Sequence, residues 1–116
     1  MSMTINTFED IIAWQKAKLL TIDIYSQFKD SRDFGYKGQI ERASISIMNN
    51  IAEGYERQSN KEFRQFLFIA KGSCGEVRSM LRVAEDLGYV SPKKNTELIN
   101  QASEISKILS GLIKTL

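Results

Sequence analysis

Residues Gln39–Glu76 read QIERASISIMNNIAEGYERQSNKEFRQFLFIAKGSCGE, and the spacing within this stretch decides the fold. Tyr36, Ile40, Ala43, Ile47, Asn50, Ile51 and Gly54 recur at three- and four-residue steps, the period of one helix face. Ile45, Met48 and Ala52 form a second apolar strip on another side. Between the strips runs a polar ladder of Arg42, Ser46, Asn49 and Glu53. A helix over 36–56 with two apolar strips has more to bury than one neighbouring hairpin covers. The excess predicts a contact between copies of the chain, since large apolar patches mark interfaces.

After that helix comes Ser59, an N-cap whose oxygen can accept from the Glu62 backbone while the Glu62 carboxylate reaches back. A third helix over 60–87 follows, and Gly88 suits the left-handed residue that ends it. Phe63, Phe66, Leu67, Ala70, Cys74, Val77, Leu81 and Ala84 form its apolar face, widened by Ile69, Ser73 and Met80. Gly72–Gly75 is a small-residue patch in mid-helix. Each Gly costs up to about 1 kcal/mol relative to Ala there, which predicts close approach by another helix.

On the amino-terminal side, Thr7 and Asp10 have the spacing of a capping box for a first helix over 7–28. Trp14, Ala17, Thr21, Ile24, Tyr25 and Phe28 make its main face, with Leu20 alongside; Ile12 and Leu19 point the other way. Lys29–Gly35 reads as a solvated turn. On the carboxy-terminal side, Ser91-Pro92 opens a fourth helix over 92–115. Leu98, Ala102, Ile105, Leu109, Leu112 and Leu116 form a heptad seam along it. Four amphipathic helices joined by short loops predict an all-α, up-down-up-down four-helix bundle occupying residues 1–116 as one domain.

The central stretch resembles the signature of the 23S rRNA intervening-sequence protein family. The matching positions are Gln39, Arg42, Ala43, Ser46, Ile47, Asn50, Ile51, Ala52, Glu53, Gly54 and Arg57, continuing through Glu62, Phe63, Phe66, Leu67, Ile69, Ala70, Gly72, Ser73 and Glu76. Trp14, Gln15, Ala17 and Tyr25 fit the first helix, and Leu87, Gly88 and Tyr89 fit the end of the third. Cys74 stands where an aliphatic residue is more usual, and Ser31–Asp33 lacks the common proline. The resemblance implies a bundle that closes into a ring, most often a pentamer, with no enzymatic activity. It also implies a relation to accessory factors of diversity-generating retroelements, which bind nucleic acid and a reverse transcriptase. Arg42, Ser46, Asn50, Glu53, Arg57, Glu62 and Glu76 are the polar part of the matching motif.

Composition bounds the chemistry. One Cys forbids an internal disulfide and suits a reducing cytoplasm. No apolar run approaches the ~20 residues that span a bilayer, and MSMTINTFED lacks the features of a signal peptide. These readings predict a cytoplasmic protein without a membrane partner. There is no His, which removes the usual general base and the Ser-His and Cys-His pairs. Glu53, Glu62 and Glu76 could be drawn as a metal cluster, but capping by Glu62 and pairing of Glu53 with Arg42 or another Arg is the plainer reading. Cys74 reads as a small core residue. The expectation is a non-enzyme with no cofactor and no metal.

Charge is weakly informative in total and more so in placement. The net charge is +2, yet residues 29–82 hold ten Lys/Arg against seven Asp/Glu. Five copies would sum to about +10, enough to matter for a polyanion. Lys61, Arg64, Lys71, Arg78 and Arg82 fall near one line along the third helix. Arg forks onto phosphate oxygens, and Phe68 beside the strip could stack a base; the plainer readings are a solvated face and, for Phe68, a subunit contact. The sequence therefore predicts a homo-oligomer that binds RNA or DNA through a basic surface formed on assembly, with Ile45, Met48, Phe68 and Ile69 in the contact between copies. The alternative is an adaptor ring that docks a protein such as a reverse transcriptase. A small-molecule site is disfavoured, because only Ser46, Asn49 and Asn50 offer a polar cluster.

Overall fold

A computed structural model describes residues 5–116. The signal-peptide reading of the amino terminus falls partly on residues 1–4, outside the described residues. Four helices follow one another: α1 (Ile12–Phe28), α2 (Phe34–Glu56), α3 (Asn60–Asp86) and α4 (Pro92–Lys114). Each packs on its neighbours in sequence and α1 also packs on α4, with no packing across either diagonal. This is the up-down-up-down bundle, and α2–α3 is its most extensive hairpin. The 27 residues of α3 span about 40 Å at 1.5 Å per residue, matching the 43 Å long axis.

The first helix does not begin where Thr7 predicts. Asp10 accepts from the Asn6 and Thr7 backbone N–H groups, as a capping box requires, but what it caps is a short 3-10 turn, Phe8–Asp10. Ile11 is extended and buried, and the α-helix starts after it. The buried face of α1 is Ala13, Ala17, Leu20, Thr21, Ile24 and Phe28. Leu20 is fully buried, while Tyr25, read as part of the main face, is exposed and Trp14 half-buried.

α2 starts two residues earlier than the periodicity suggests, because Asp33 caps it by accepting from the Tyr36 N–H at 3.1 Å. The loop read as merely solvated is thus a fastening. Tyr89, just after α3, donates to the other Asp33 oxygen at 2.7 Å. Tyr36 stacks edge-on against Tyr89 and donates to the Met80 carbonyl at 2.6 Å. The two loops at this end of the bundle are tied together. Both hydrogen bonds hold the Asp33 carboxyl below its ordinary range, the one from Tyr89 contributing most. Burial pushes the Tyr36 phenol up to about 12.

α4 opens on Ser91 and Pro92 as expected, and Gly88 takes φ +72° in the turn before it. Its heptad seam holds for Leu98, Ala102, Ile105 and Leu109, then drifts: Ile113 is buried and Leu112 and Leu116 are half-buried. A straight helix advances 3.6 residues per turn, so a strict 3.5-residue seam slides off the core within a few turns.

Candidate nucleic-acid interface

The seven polar motif residues do not form one network; the structure divides them into three groups. At the α2–α3 turn, Arg57 pairs with Glu53 at 2.9 Å and Glu62 at 3.8 Å, and its guanidinium lies 5.0 Å above the Phe66 ring. Glu53 therefore takes Arg57, not Arg42. The expected capping box is modified. Ser59 Oγ accepts from the Glu62 N–H, but it also donates to the Glu62 carboxylate, which does not reach the Ser59 backbone. One residue, Arg57, thus draws Glu53 and Glu62 together.

Midway along the hairpin, Ser46 Oγ accepts from Asn50 Nδ2 at 2.9 Å and from Ser73 Oγ at 2.9 Å. This satisfies hydroxyls where α2 and α3 approach closely, a structural duty. Gln39, Arg42, Ala43, Ser46 and Glu76 line a shallow depression of about 370 Å³ beside it. Among the described residues neither Arg42 nor Glu76 has an ion-pair partner.

The residues predicted for contacts between copies separate by burial. Ile45 and Met48 are half-buried within the chain, and Met48 packs on the core. Phe68 and Ile69 are exposed, at 53% and 52%. Ile69 does not widen the core face as its spacing suggested; Ser73 and Met80 do. A further apolar strip lies on the outer side of α1, where Ile12, Leu19 and Ile22 are all exposed. Gly72 and Gly75 have nothing within 4 Å of where a Cβ would stand, so no helix of the same chain approaches them. The close approach is instead at Gly54, against Phe66 and Phe63.

Lys61, Arg64, Arg78 and Arg82 are exposed and Lys71 half-exposed, and none of the five has an ion-pair partner among the described residues. Two tethers show which way the strip faces. Ser73 marks the flank of α3 that meets α2, and Glu85, which accepts from Asn95, marks the flank that meets α4. By helical period, Arg64, Lys71, Arg78 and Arg82 lie toward the α4 flank. Glu62 and Glu76 lie toward α2. Sequence alone could not assign these flanks, because the partner of each helix side was unknown.

Other chemistry finds little footing. Burial pushes the Cys74 thiol up to about 12, against a weaker opposite pull from Arg78, so it carries almost no thiolate near neutrality. Among the described residues, no group of three or more His, Cys, Asp or Glu is placed to hold a metal. No helix there is long and apolar enough to cross a membrane.

Residues 9–111 match the sequence pattern of the 23S rRNA-intervening sequence protein family. The chain belongs to that family. A crystal structure from Bacteroides thetaiotaomicron, described as a protein of unknown function from the S23 ribosomal protein family, superposes with a TM-score of 0.83. The two share 25% identity over 89% of this chain and 96% of that one. No curated protein matches the chain. In this chain the small and apolar positions of the motif build the α2–α3 hairpin, and Glu53, Arg57 and Glu62 close the turn.

Proposed function

We propose that the protein is a non-enzymatic, cytoplasmic homo-oligomer that binds nucleic acid through the basic strip of α3. The observation that carries this reading is the set of five cations on α3 with no carboxylate partner among the described residues. Acids are available on the same helix, yet Arg57 takes Glu62 and Asn95 takes Glu85. A strip left uncompensated in this way suits the phosphate backbone, whose binding is driven by release of counterions.

Assembly has separate support. A closed ring joins two different patches of neighbouring copies. The chain offers two: the outer side of α1, with Ile12, Leu19 and Ile22, and the α2-side shoulder of α3, where Ile69 is exposed. Five copies is the number the family resemblance implies.

Electrophoretic titration against a structured RNA tests the binding. At roughly 50 mM salt the RNA is retarded, and affinity falls steeply by about 200 mM. Absence of binding at the lower salt, or indifference to salt, would refute contact with phosphates. Charge reversal at Arg64 and Arg78 abolishes binding with assembly intact; loss of only a protein partner would favour the adaptor alternative.

A further inference from the structure

The α3 strip is one side of a groove whose other side is α4. Asn95 Nδ2 donates to the Leu81 carbonyl and to Glu85 on α3. Gln101 and Glu104 instead engage Asp23 and Lys16 on α1. These contacts fix which flank of α4 faces which neighbour. Counting from Asn95 at 3.6 residues per turn, Ser106 and Ser110 lie on the α3 side, with Ser103, Lys107 and Lys114 along its outer edge. The α4 acids are engaged elsewhere: Glu104 pairs with Lys16 on α1 and Glu97 with Lys94. Since Asn95 stands opposite Leu81–Glu85 and the helices are antiparallel, Lys107 comes level with Lys71 and Lys114 level with Arg64. Neither α4 lysine has an ion-pair partner among the described residues.

Phe68 belongs to this groove. Arg64 lies four residues before it, Lys71 three after and Gly72 four after, each about one turn away. With no side chain at Gly72, nothing on that side covers the exposed ring. A subunit contact centred on Phe68 would desolvate Arg64 and Lys71, neither of which has an ion-pair partner among the described residues, and that is costly. A nucleotide strand meets all three at once, since phosphates take the cations and a base takes the ring face. A base already stacked inside a duplex is not free to do so.

We propose that the α3–α4 groove of each chain binds single-stranded nucleic acid, with phosphates on Arg64, Lys71, Lys107 and Lys114 and a base stacked on Phe68. This rests on the nucleic-acid reading above and narrows it to a single-stranded ligand on residues of one chain.

Fluorescence anisotropy with a labelled oligouridylate of about 20 nucleotides, against a duplex of equal length, separates the two claims. The single strand binds more tightly than the duplex. Phe68→Ala weakens the single strand by roughly tenfold or more, leaves the duplex unchanged and leaves the sizing profile unchanged; Phe68→Trp restores single-strand binding. Lys107→Ala with Lys114→Ala lowers the single-strand salt slope by about 1.4, near 0.7 for each phosphate no longer neutralised. Equal affinity for both probes, silence of Phe68→Ala, dissociation of the oligomer by Phe68→Ala, or an unaltered slope in the double variant overturns the groove assignment alone. Failure of the unmodified protein to bind either probe at low salt overturns the broader nucleic-acid reading, and the groove with it.

Discussion

Gly54 and the pair Gly72 and Gly75 should respond to alanine in opposite directions, although the substitution is chemically the same. A Cβ at Gly54 would lie 2.6 Å from Phe66 Cβ, 3.0 Å from a Phe63 ring carbon and 3.3 Å from the Phe63 carbonyl oxygen. The nearest of these atoms is fixed to the α3 backbone, so relief requires the hairpin itself to open. Overpacking costs about 1–3 kcal/mol, and a 2.6 Å clash with an atom fixed to backbone belongs in the upper part, about 2–3 kcal/mol. This is partly offset by about 1 kcal/mol of helix propensity gained on leaving glycine. The net effect is a loss of about 1–2 kcal/mol. An unfolding entropy near 2.1 cal/mol/K per residue over 116 residues makes each kcal/mol about 4 °C, so Gly54→Ala lowers the melting midpoint by about 4–8 °C. At Gly72 and Gly75 a Cβ meets nothing within 4 Å, only the propensity gain operates, and each alanine raises the midpoint by about 2–4 °C. Thermal unfolding followed by far-UV circular dichroism reads all three, at one protein concentration because an oligomer's midpoint depends on it. A Gly54→Ala protein as stable as the parent would refute the account of the hairpin. Destabilisation by Gly72→Ala or Gly75→Ala would show that another copy packs on that face.

Four further outcomes follow from the same structure. The Asp33 carboxyl is held low in the folded state, so its contribution to stability is present above the ordinary aspartate range near pH 3.9 and is lost as pH falls through the lower folded value; acid unfolding curves should show a weaker pH dependence in Asp33→Asn. Tyr36 is raised to about 12, so its contribution is intact below about pH 10 and is lost as pH rises toward the folded value, and Tyr36→Phe should remove that part of the alkaline transition. Ser46→Ala leaves the Ser73 hydroxyl without its acceptor, while the Asn50 amide keeps the Ser46 carbonyl, and should cost about 1–2 kcal/mol in urea unfolding. Light scattering at micromolar concentration should show an oligomer that Ile69→Glu or Met48→Glu weakens; a monomer in the parent protein would remove the ring.

The fold was legible because local signals agreed. Ser59, Ser91-Pro92 and Gly88 mark helix ends by backbone chemistry that needs no partner, and each stands where the structure ends or begins a helix. The failures have one origin, the effect of tertiary contacts. Ile11 is buried in an extended conformation that interrupts the first helix, and no propensity registers that. Asp33 reads as one more loop charge until Tyr89, 56 positions away, is brought beside it. The polar ladder on α2 was visible as a line, but its division between Arg57 and Ser73 depends on the α3 side chains opposite each step. The basic strip was visible too, whereas Lys107 and Lys114 were not, since only the antiparallel register of α3 and α4 sets them beside it.

That register bears on whether assembly and binding can coexist. The helices pack around a square without diagonal contacts, so α1 and α3 occupy opposite corners. An interface built from the outer side of α1 and the α2-side shoulder of α3 would cover Ile12, Leu19, Ile22 and Ile69. It would leave the α4-side shoulder of α3, with Arg64, Lys71 and Phe68, facing away. Had the cations lain on the α2 side beside Ile69, burying the apolar shoulder would have required desolvating them without partners, at a cost of several kcal/mol per ion. The distribution of charge around α3 allows apolar contact on one shoulder and phosphate contact on the other. A ring of such chains would repeat the groove once per subunit, and its avidity for a long strand would rise with every copy that the strand can reach.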